Sequence, residues 1–587
     1  MTIARIEDVA ALATAFGADM GEVKPNVRKI TTNATRAPLP ADDALKGHDD
    51  GARWLLNGRE WNRKGDKWFP VGDLTPLHFG TDPAEATRAA LDWLIQSGGG
   101  RLVIPAGDHI VTTPINVVAV ADLEIYFEPG AWLIAAPGLA QPVLSVRGAE
   151  TDQPAAGDFS LRVINPQIDC SAGASPSGTG GNFCSALTFN YFRKVLVSGG
   201  ALYGGELPDN ANADSGISWV TCDDVVIDGV HIRGFNDCGI YPGGNNTTGV
   251  SGDGGPCKIL NCLIQRCQSA VSAKREMDLL TFQGNTVEEC LNGVSSQNVT
   301  DAGGVTGVRR LEVVNNVFRR IYTNVIRPRG NTKGVARGNT IIDWGFHPIT
   351  MVSAGANAVA MNLDGTKGFD WTDNAFVLQN WTADNQIAVL FTQHSFNGVT
   401  YDHGKCFGSG NSYRGCPRVY GWAQAGGPHT MLDEYFEGVG ATPISATNRH
   451  GGLVATYRRD GSDRLWSVVG GNEYPMGPPD VILQATSAAI TSSHKNAVVT
   501  NDGATADITL TLPPAGAGVG PFTFSQLANF KIRVAAAAGD IIRLPGGVSS
   551  TAGGSVITAE RGDFLTLVAT DSTNWVCTAY GGAVTAL

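Results

Sequence analysis

A right-handed parallel β-helix is the fold class this sequence predicts, and three observations predict it. The motif Asp-x-Gly-Ile occurs at residues 214–217 and again at 237–240, 23 residues apart. Aligning "IDGVHI", "LNCLIQ", "QGNTVE", "VNNVFR" and "RGNTII" places Gly229, Cys262, Asn285, Asn316 and Asn339 in one column, at steps of 33, 23, 31 and 23. A second column, in phase with the first, runs Ile217, Ile240, Val271, Val294, Val325 and Ile349 at steps of 23, 31, 23, 31 and 24. The composition agrees, because 74 glycines and only 17% charged residues favour many short strands and turns over long amphipathic helices. A coil of about 23 residues, with three short strands, polar corners and Val/Ile inside, buries its apolar side only by stacking on the next coil. The long steps are one coil plus an inserted loop, "YPGGNNTTGVSGDGG" or "SSQNVTDAGGVTG".

The elements follow in order. Residues 1–48 read as a separate segment that runs into a linker, "ATRAPLPADDALKGHDD", rich in Pro, Ala and Asp. Residues 49–76 carry tryptophans between tight Gly turns, as a short hairpin module does. In "TDPAEATRAALDWLIQSGGG", Asp82 and Glu85 have capping-box spacing, Pro83 stands in the first turn, and Ala86, Ala89, Ala90, Trp93 and Leu94 form one apolar face. Gly98 to Gly100 stop this helix, which is placed to cap the open end of the stack. "RLVIPAGDHIVTTPINV" then reads as strand, turn, strand, so the β-helix with its capping helix is assigned to 77–400. Residues 401–484 are its end and a connecting β region. Residues 485–587 form a C-terminal β domain, with "NAVVTNDGATADITLTLPP", "DIIRLPGG" and "DFLTLVATDSTNWVCTAY" as alternating strands that end in an exposed aromatic hairpin.

At 587 residues, several domains are expected. The 43 basic residues stand against 55 acidic ones for a net charge of −12, and no Lys/Arg run marks a nucleic-acid partner. The start, "MTIARIEDVAALATAFGADM", is broken by Glu7 and Asp8, so neither a secretory signal nor membrane insertion is expected, and the chain is expected to fold in a cytoplasm. Eleven cysteines lack the paired C-x-x-C spacing of a zinc site, and Cys262, Cys267 and Cys290 occupy apolar or repeat positions, as buried free thiols do. "DGTKGFDWTD" has too few liganding positions for an EF-hand. No metal and no cofactor is expected.

The stretch "HFGTDPAEATRAALDWLIQSGGGRLVIPAGDHIVTTPI" resembles the opening of pectate-lyase-like β-helices, above all those of bacteriophage tailspikes, and the resemblance spans about residues 78–390. A second resemblance joins the region from about 485 to the small β modules that end phage tail proteins. The resemblance implies a homotrimer whose N-terminal segment, here 1–48, anchors it to other tail or baseplate proteins of the virion. It implies a β-helix that binds and often cleaves bacterial surface polysaccharide, and a C-terminal part for trimerisation or sugar binding. It also implies assembly in the host cytoplasm. It does not specify the chemistry: the Gly-His-Gly and Arg-Ile-Lys motifs of polygalacturonases are missing, and "IRPRG" is not the Arg-x-Pro-x-x-Arg of pectate lyases.

Candidate chemistry starts with the repeated motif. Asp214 and Asp237 stack on adjacent rungs, ~5 Å apart, near the carboxylate separation of a retaining glycosidase. Two carboxylates this close push one pKa upward and supply an acid beside a base, although an aspartate at a coil corner equally serves to cap a turn. Glu206 and Asp209 lie on a loop running into the same rung and are alternative acids, whereas Asp223 and Asp224 suit turn formation. The column continues to Lys274, Arg275 and Glu276, then Arg327 and Arg329, then His347, a row that suits carboxylate-bearing sugars or simply a solvated, salt-bridged face. Trp219 and Trp344 are candidates for stacking on sugar rings, and His347, before Pro348, equally suits a structural corner. Three functions compete: endo-hydrolysis of a capsule, exopolysaccharide or O-antigen by Asp214, Asp237 and Glu206; β-elimination by a polysaccharide lyase using the basic row; and binding alone by an adhesin.

Overall fold

The computed structural model describes residues 53–587 apart from 149–158, 174–183, 206–213, 244–254, 380–384, 402–405, 423–428, 440–453, 460–464, 477–480 and scattered single positions and pairs. The segment 1–48 and the candidates Glu206, Asp209, Arg275 and Glu276 lie outside the described residues. The strands Arg53–Leu56, Arg59–Lys64 and Lys67–Pro70 form an antiparallel meander. Among the described residues there is one α-helix, α1, at Pro83–Gln96. The Asp82 carboxylate accepts from the Glu85 amide at 2.8 Å, Pro83 opens the first turn, and Gly99, at a left-handed φ of 105°, returns its amide to the Leu94 carbonyl. Ala86, Ala90, Leu91, Trp93 and Leu94 are buried and Ala89 half-buried. The helix packs against Gly100–Ile104, Gly107–Val111 and Ile115–Ala119, which covers the apolar end that the first coil would otherwise expose.

After the cap the chain is a parallel β-helix. One coil runs Ser215–Val220, Asp224–Asp228, His231–Arg233, and the next runs Cys238–Pro242, Cys257–Leu260, Leu263–Gln265. Each strand pairs in parallel with its counterpart one coil on, as Ile217 with Ile240, Val225 with Cys257 and Ile232 with Ile264. The first strands of successive coils form an eleven-stranded parallel sheet, from Ile115–Ala119 to Arg418–Trp422. Side chains alternate inward and outward along each strand, so one apolar residue in two fills the interior.

The corner between the second and third strands explains the polar column. It needs one residue at positive φ, supplied by Gly229, Asn261, Gly284, Asn315, Gly338, Asp373 and Gly410. The next residue points inward, and from Asn285 to Asn411 it is asparagine. Asn285, Asn316, Asn339, Asn374 and Asn411 are buried, and each Oδ1 accepts the backbone amide of the rung before at 2.8–3.0 Å. Each Nδ2 donates to a carbonyl of a preceding strand, and from Asn285 to Asn374 also to the next asparagine Oδ1; the Asn411 amide donates to buried Glu434. A buried amide is stable only with its bonds made, and here each asparagine supplies its neighbour's.

The expected columns need two corrections. Val230, not Gly229, shares the rung position of Cys262, because Asp228 pairs with Leu260; Gly229 belongs to the positive-φ column. In the apolar column Val294 pairs with Ile326, and Ile326 with Met361, so Val325 is one residue early and Ile349, half-exposed, lies outside the stack. The inserted loops carry the drift: the asparagine steps are 23 residues from Asn316 to Asn339 but 35 and 37 for the next two.

All eleven cysteines are buried free thiols, and burial pushes Cys222 and Cys262 up to about 12. They act as small apolar fillers.

Residues 450–587, with 431–433, form a second compact unit. Its described strands include a six-stranded and a five-stranded sheet around a core that includes Val499, Leu510, Phe522, Phe524, Ile532, Leu565 and Trp575. Phe564–Ala569 and Asn574–Gly581 pair as an antiparallel hairpin on which Tyr580 is exposed. No described helix is long and apolar enough to cross a membrane.

Candidate active site

The outward face of the eleven-stranded sheet gathers the chemistry. Its registers align two outward columns. One runs Thr188, Ser218, Tyr241 and, further on, Ser272, Ser295, Arg327 and Asn362; the other, two residues later in each strand, includes Asn190, Val220, Gly243, Lys274, Arg329, Asp364 and Thr392. At its upstream end Thr188, Asn190, Asp214, Ser215, Ser218, Trp219, Val220 and Tyr241 line a concavity of about 260 Å³.

Asp214 and Asp237 do stand on adjacent rungs, at the corner just before Ser215–Val220 and Cys238–Pro242, with the Asp237 amide donating to the Asp214 carbonyl at 2.9 Å. Among the described residues the Asp214 carboxylate accepts from the Ser215 hydroxyl at 3.2 Å and that of Asp237 from the Cys238 thiol at 3.5 Å, and no backbone amide donates to either. Burial, then the neighbouring Asp237 charge, pushes the Asp214 carboxyl up to about 6, while the Ser215 hydroxyl and Lys274 pull it partly back. The Lys274 ammonium lies 4.7 Å from the centre of the Tyr241 ring. An acid that keeps its proton near pH 6 thus sits beside a carboxylate, a cation and an aromatic ring, in a hollow rimmed by hydroxyls.

Further along the same face Arg327 donates to Asp364 Oδ2 through Nε and Nη2, at 3.0 and 2.7 Å. Arg329 Nε and His394 Nδ1 lie 3.6 and 3.5 Å from the same oxygen, and Thr392 donates to Oδ1 at 3.0 Å. Burial alone would raise the Asp364 carboxyl, but the His394 and Arg327 contacts outweigh it and hold the group below the usual carboxylate range. Burial, with the Arg327 charge beside it, lowers Arg329 to about 10 against the pull of Asp364.

The remaining candidates are placed elsewhere. Trp219 is 2% exposed and points inward against Phe189, ring centroids 5.3 Å apart, and Trp344 is fully buried against Phe376, so neither presents a face to a sugar. His347 leaves the row: it sits in the turn after Thr340–Trp344, its Nδ1 accepts the amides of Ile349 and Thr350, and its ring meets Tyr322 edge-on at 5.1 Å. The rung position given to His347 belongs to Asp364. Sequence reading missed Asp364, Thr392, His394 and Tyr241; a register carried through Ile326 and Met361 would have brought Asp364 opposite Arg329. Among the described residues no three His, Cys, Asp or Glu side chains gather as a metal site would require.

No protein-family model and no curated protein matches this chain. Among solved structures it is similar to ORF18 of Geobacillus virus E2, at 12% identity over 94% of this chain and 88% of the other, with a TM-score of 0.37. It is also similar to a tailspike protein of E. coli bacteriophage HK620 in complex with a pentasaccharide, at 12% identity over 84% and 81%, TM-score 0.41. A third is the mannuronan C-5 epimerase A-module of Azotobacter vinelandii, at 12% identity over 67% and 100%, TM-score 0.43. The parallel β-helix follows from the strand registers themselves.

Proposed function

We propose that this chain is a phage tailspike that binds a bacterial surface polysaccharide and cuts it by endo-glycosidic hydrolysis, with Asp214 as general acid and Asp237 as the carboxylate partner. The observation that carries the reading is the Asp214 carboxyl, raised to about 6 by burial and by the Asp237 charge on the adjacent rung, in the wall of an open hollow lined also by Thr188, Ser215, Ser218 and Tyr241. Among the described residues no backbone amide of the turn donates to either carboxylate. Asp214 would give its proton to the leaving glycosidic oxygen. Asp237 would stabilise the positive charge developing at the anomeric carbon or activate the water that attacks it, and the water's hydroxyl ends on that carbon. Tyr241, Ser218 and Thr188 would hold the sugar rings. The homotrimer, the attachment of residues 1–48 to the virion tail and assembly in the host cytoplasm belong to the same proposal.

The test is to incubate the full chain with purified surface polysaccharide of the host and follow polymer length, reducing ends and ultraviolet absorbance together. Shortening with new reducing ends and no absorbance is expected, and Asp214→Asn or Asp237→Asn should abolish shortening while binding persists. New absorbance would instead identify a lyase. Bound but intact polymer would identify an adhesin, and full activity in both Asn variants would remove the pair from the chemistry.

A further inference from the structure

We infer that Arg327 and Arg329, held in place by Asp364, form a separate subsite for an anionic substituent, a carboxylate or a phosphate, of the glycan that lies along this face. The inference rests on the proposed glycan-binding role of the face and adds the class of substrate it takes.

Two guanidiniums converge on one carboxylate oxygen, at 2.7 Å from Arg327 and 3.6 Å from Arg329, so the described groups leave one positive charge unbalanced. Their neighbours on the adjacent rungs, Ser295 and Ser296 before them and Asn362 after, are uncharged. Asp364 is 4% exposed at its side chain, so it is fixed as a platform, whereas Arg327 and Arg329 keep 29% and 21% and stay within reach of a ligand. Arg329 Nε is buried and, among the described residues, makes no hydrogen bond. An uncompensated charge at such a position is costly unless a partner of opposite sign is supplied, and a planar guanidinium pair suits the two oxygens of a carboxylate or phosphate. The lowered pKa of Arg329 has the same origin, since burial and the like charge of Arg327 both work against its protonated form.

Arg327 stands three rungs beyond Asp237 on the same sheet, ~14 Å at the usual strand spacing. Lys274 lies between them, in the same outward column as Arg329. A glycan running along the stack would therefore have its bond at the acidic pair and an anionic group of a nearby residue at the arginines.

The experiment uses the full chain carrying Asp214→Asn, so that binding is read without cleavage. Calorimetry would compare hexagalacturonate, the same oligomer with its carboxyls reduced to alcohols, and maltohexaose carrying phosphate groups. The expected result is that at least one anionic oligomer binds 10-fold or more tightly than the reduced one. That preference should be lost in Arg329→Met and partly kept in Arg329→Lys, which guards against misfolding of the Met variant. Preference for the uronate or for the phosphate oligomer tells which anion is taken. Equal binding of anionic and reduced oligomers, binding of none, or an unchanged preference in Arg329→Met overturns the subsite. If the wild type shortens host polymer without any anion preference, this inference fails and the hydrolase reading stands; if the preference is present and arginine-dependent but no polymer is ever shortened, the reverse holds.

Discussion

Asp214 and Asp364 border the same parallel sheet, both largely withdrawn from water, and their carboxyls move in opposite directions. Asp214 is raised to about 6, with another carboxylate on the adjacent rung and, among the described residues, a single hydroxyl donor. Asp364 is lowered, with Arg327 doubly bonded to it, His394 and Arg329 alongside and Thr392 on its other oxygen. Burial pushes each of them upward, so the difference lies in what the scaffold stacks beside them. Like charge on the next rung stores a proton; opposite charge fixes an ion. The first arrangement suits a group that must give a proton away, the second a group that must hold others still.

Neutralising each acid in turn should separate the two roles. Asp214→Asn is expected to lower polymer shortening by about 10²–10⁴-fold, the usual worth of a general acid, with the fold intact by circular dichroism. Asp364→Asn is expected to destabilise the chain by about 3 kcal/mol in denaturant unfolding, because it leaves two partly buried guanidiniums without their counter-ion. If Asp364→Asn were stabilising and Asp214→Asn destabilising, the division of roles would be reversed.

The pH dependence of stability sharpens the contrast, because the two signs differ. Asp214 has a folded pKa above its unfolded value of 3.8, so the native state holds the extra proton between pH 4 and 6 and stability falls as pH rises through that window. The loss is complete above about pH 6 and amounts to at most about 3 kcal/mol at ~1.4 kcal/mol per pKa unit. Asp214→Asn should abolish that slope, leave stability below pH 4 unchanged and raise it above pH 6. Asp364, with a folded pKa below 3.8, contributes stability that is present above pH 4 and disappears as pH falls through its folded pKa. Unfolding curves of the wild type and both Asn variants at pH 3, 5 and 7 would read both slopes. Above about pH 6 the activity should decline as Asp214 loses its proton.

The smallest effect expected is that of Lys274→Met. Removing a cation that holds the Asp214 pKa down should move the alkaline limb of the activity profile upward by a few tenths of a pH unit. A downward shift would mean that Lys274 acts on the site in some other way.

The sequence by itself determined the coil, its polar column, the capping helix and the stacking of Asp214 on Asp237, because each follows from short-range rules: the corner needs a positive φ and a satisfied inward amide, the helix needs its Asp82 cap, and two coils without a long insertion keep the same step. Beyond Val294 those rules stop being sufficient. Loops of different length enter between rungs, and since side chains alternate faces every residue, a slip of one at Val325 removed the true partner of Arg329 from view and put His347 in its place. Tertiary structure alone decided that Trp219 and Trp344 fill the interior. It also decided that Tyr241 and Lys274 flank the acid, and that Asp364 gathers two arginines, since burial and charge pairing are set by which distant rungs come into register.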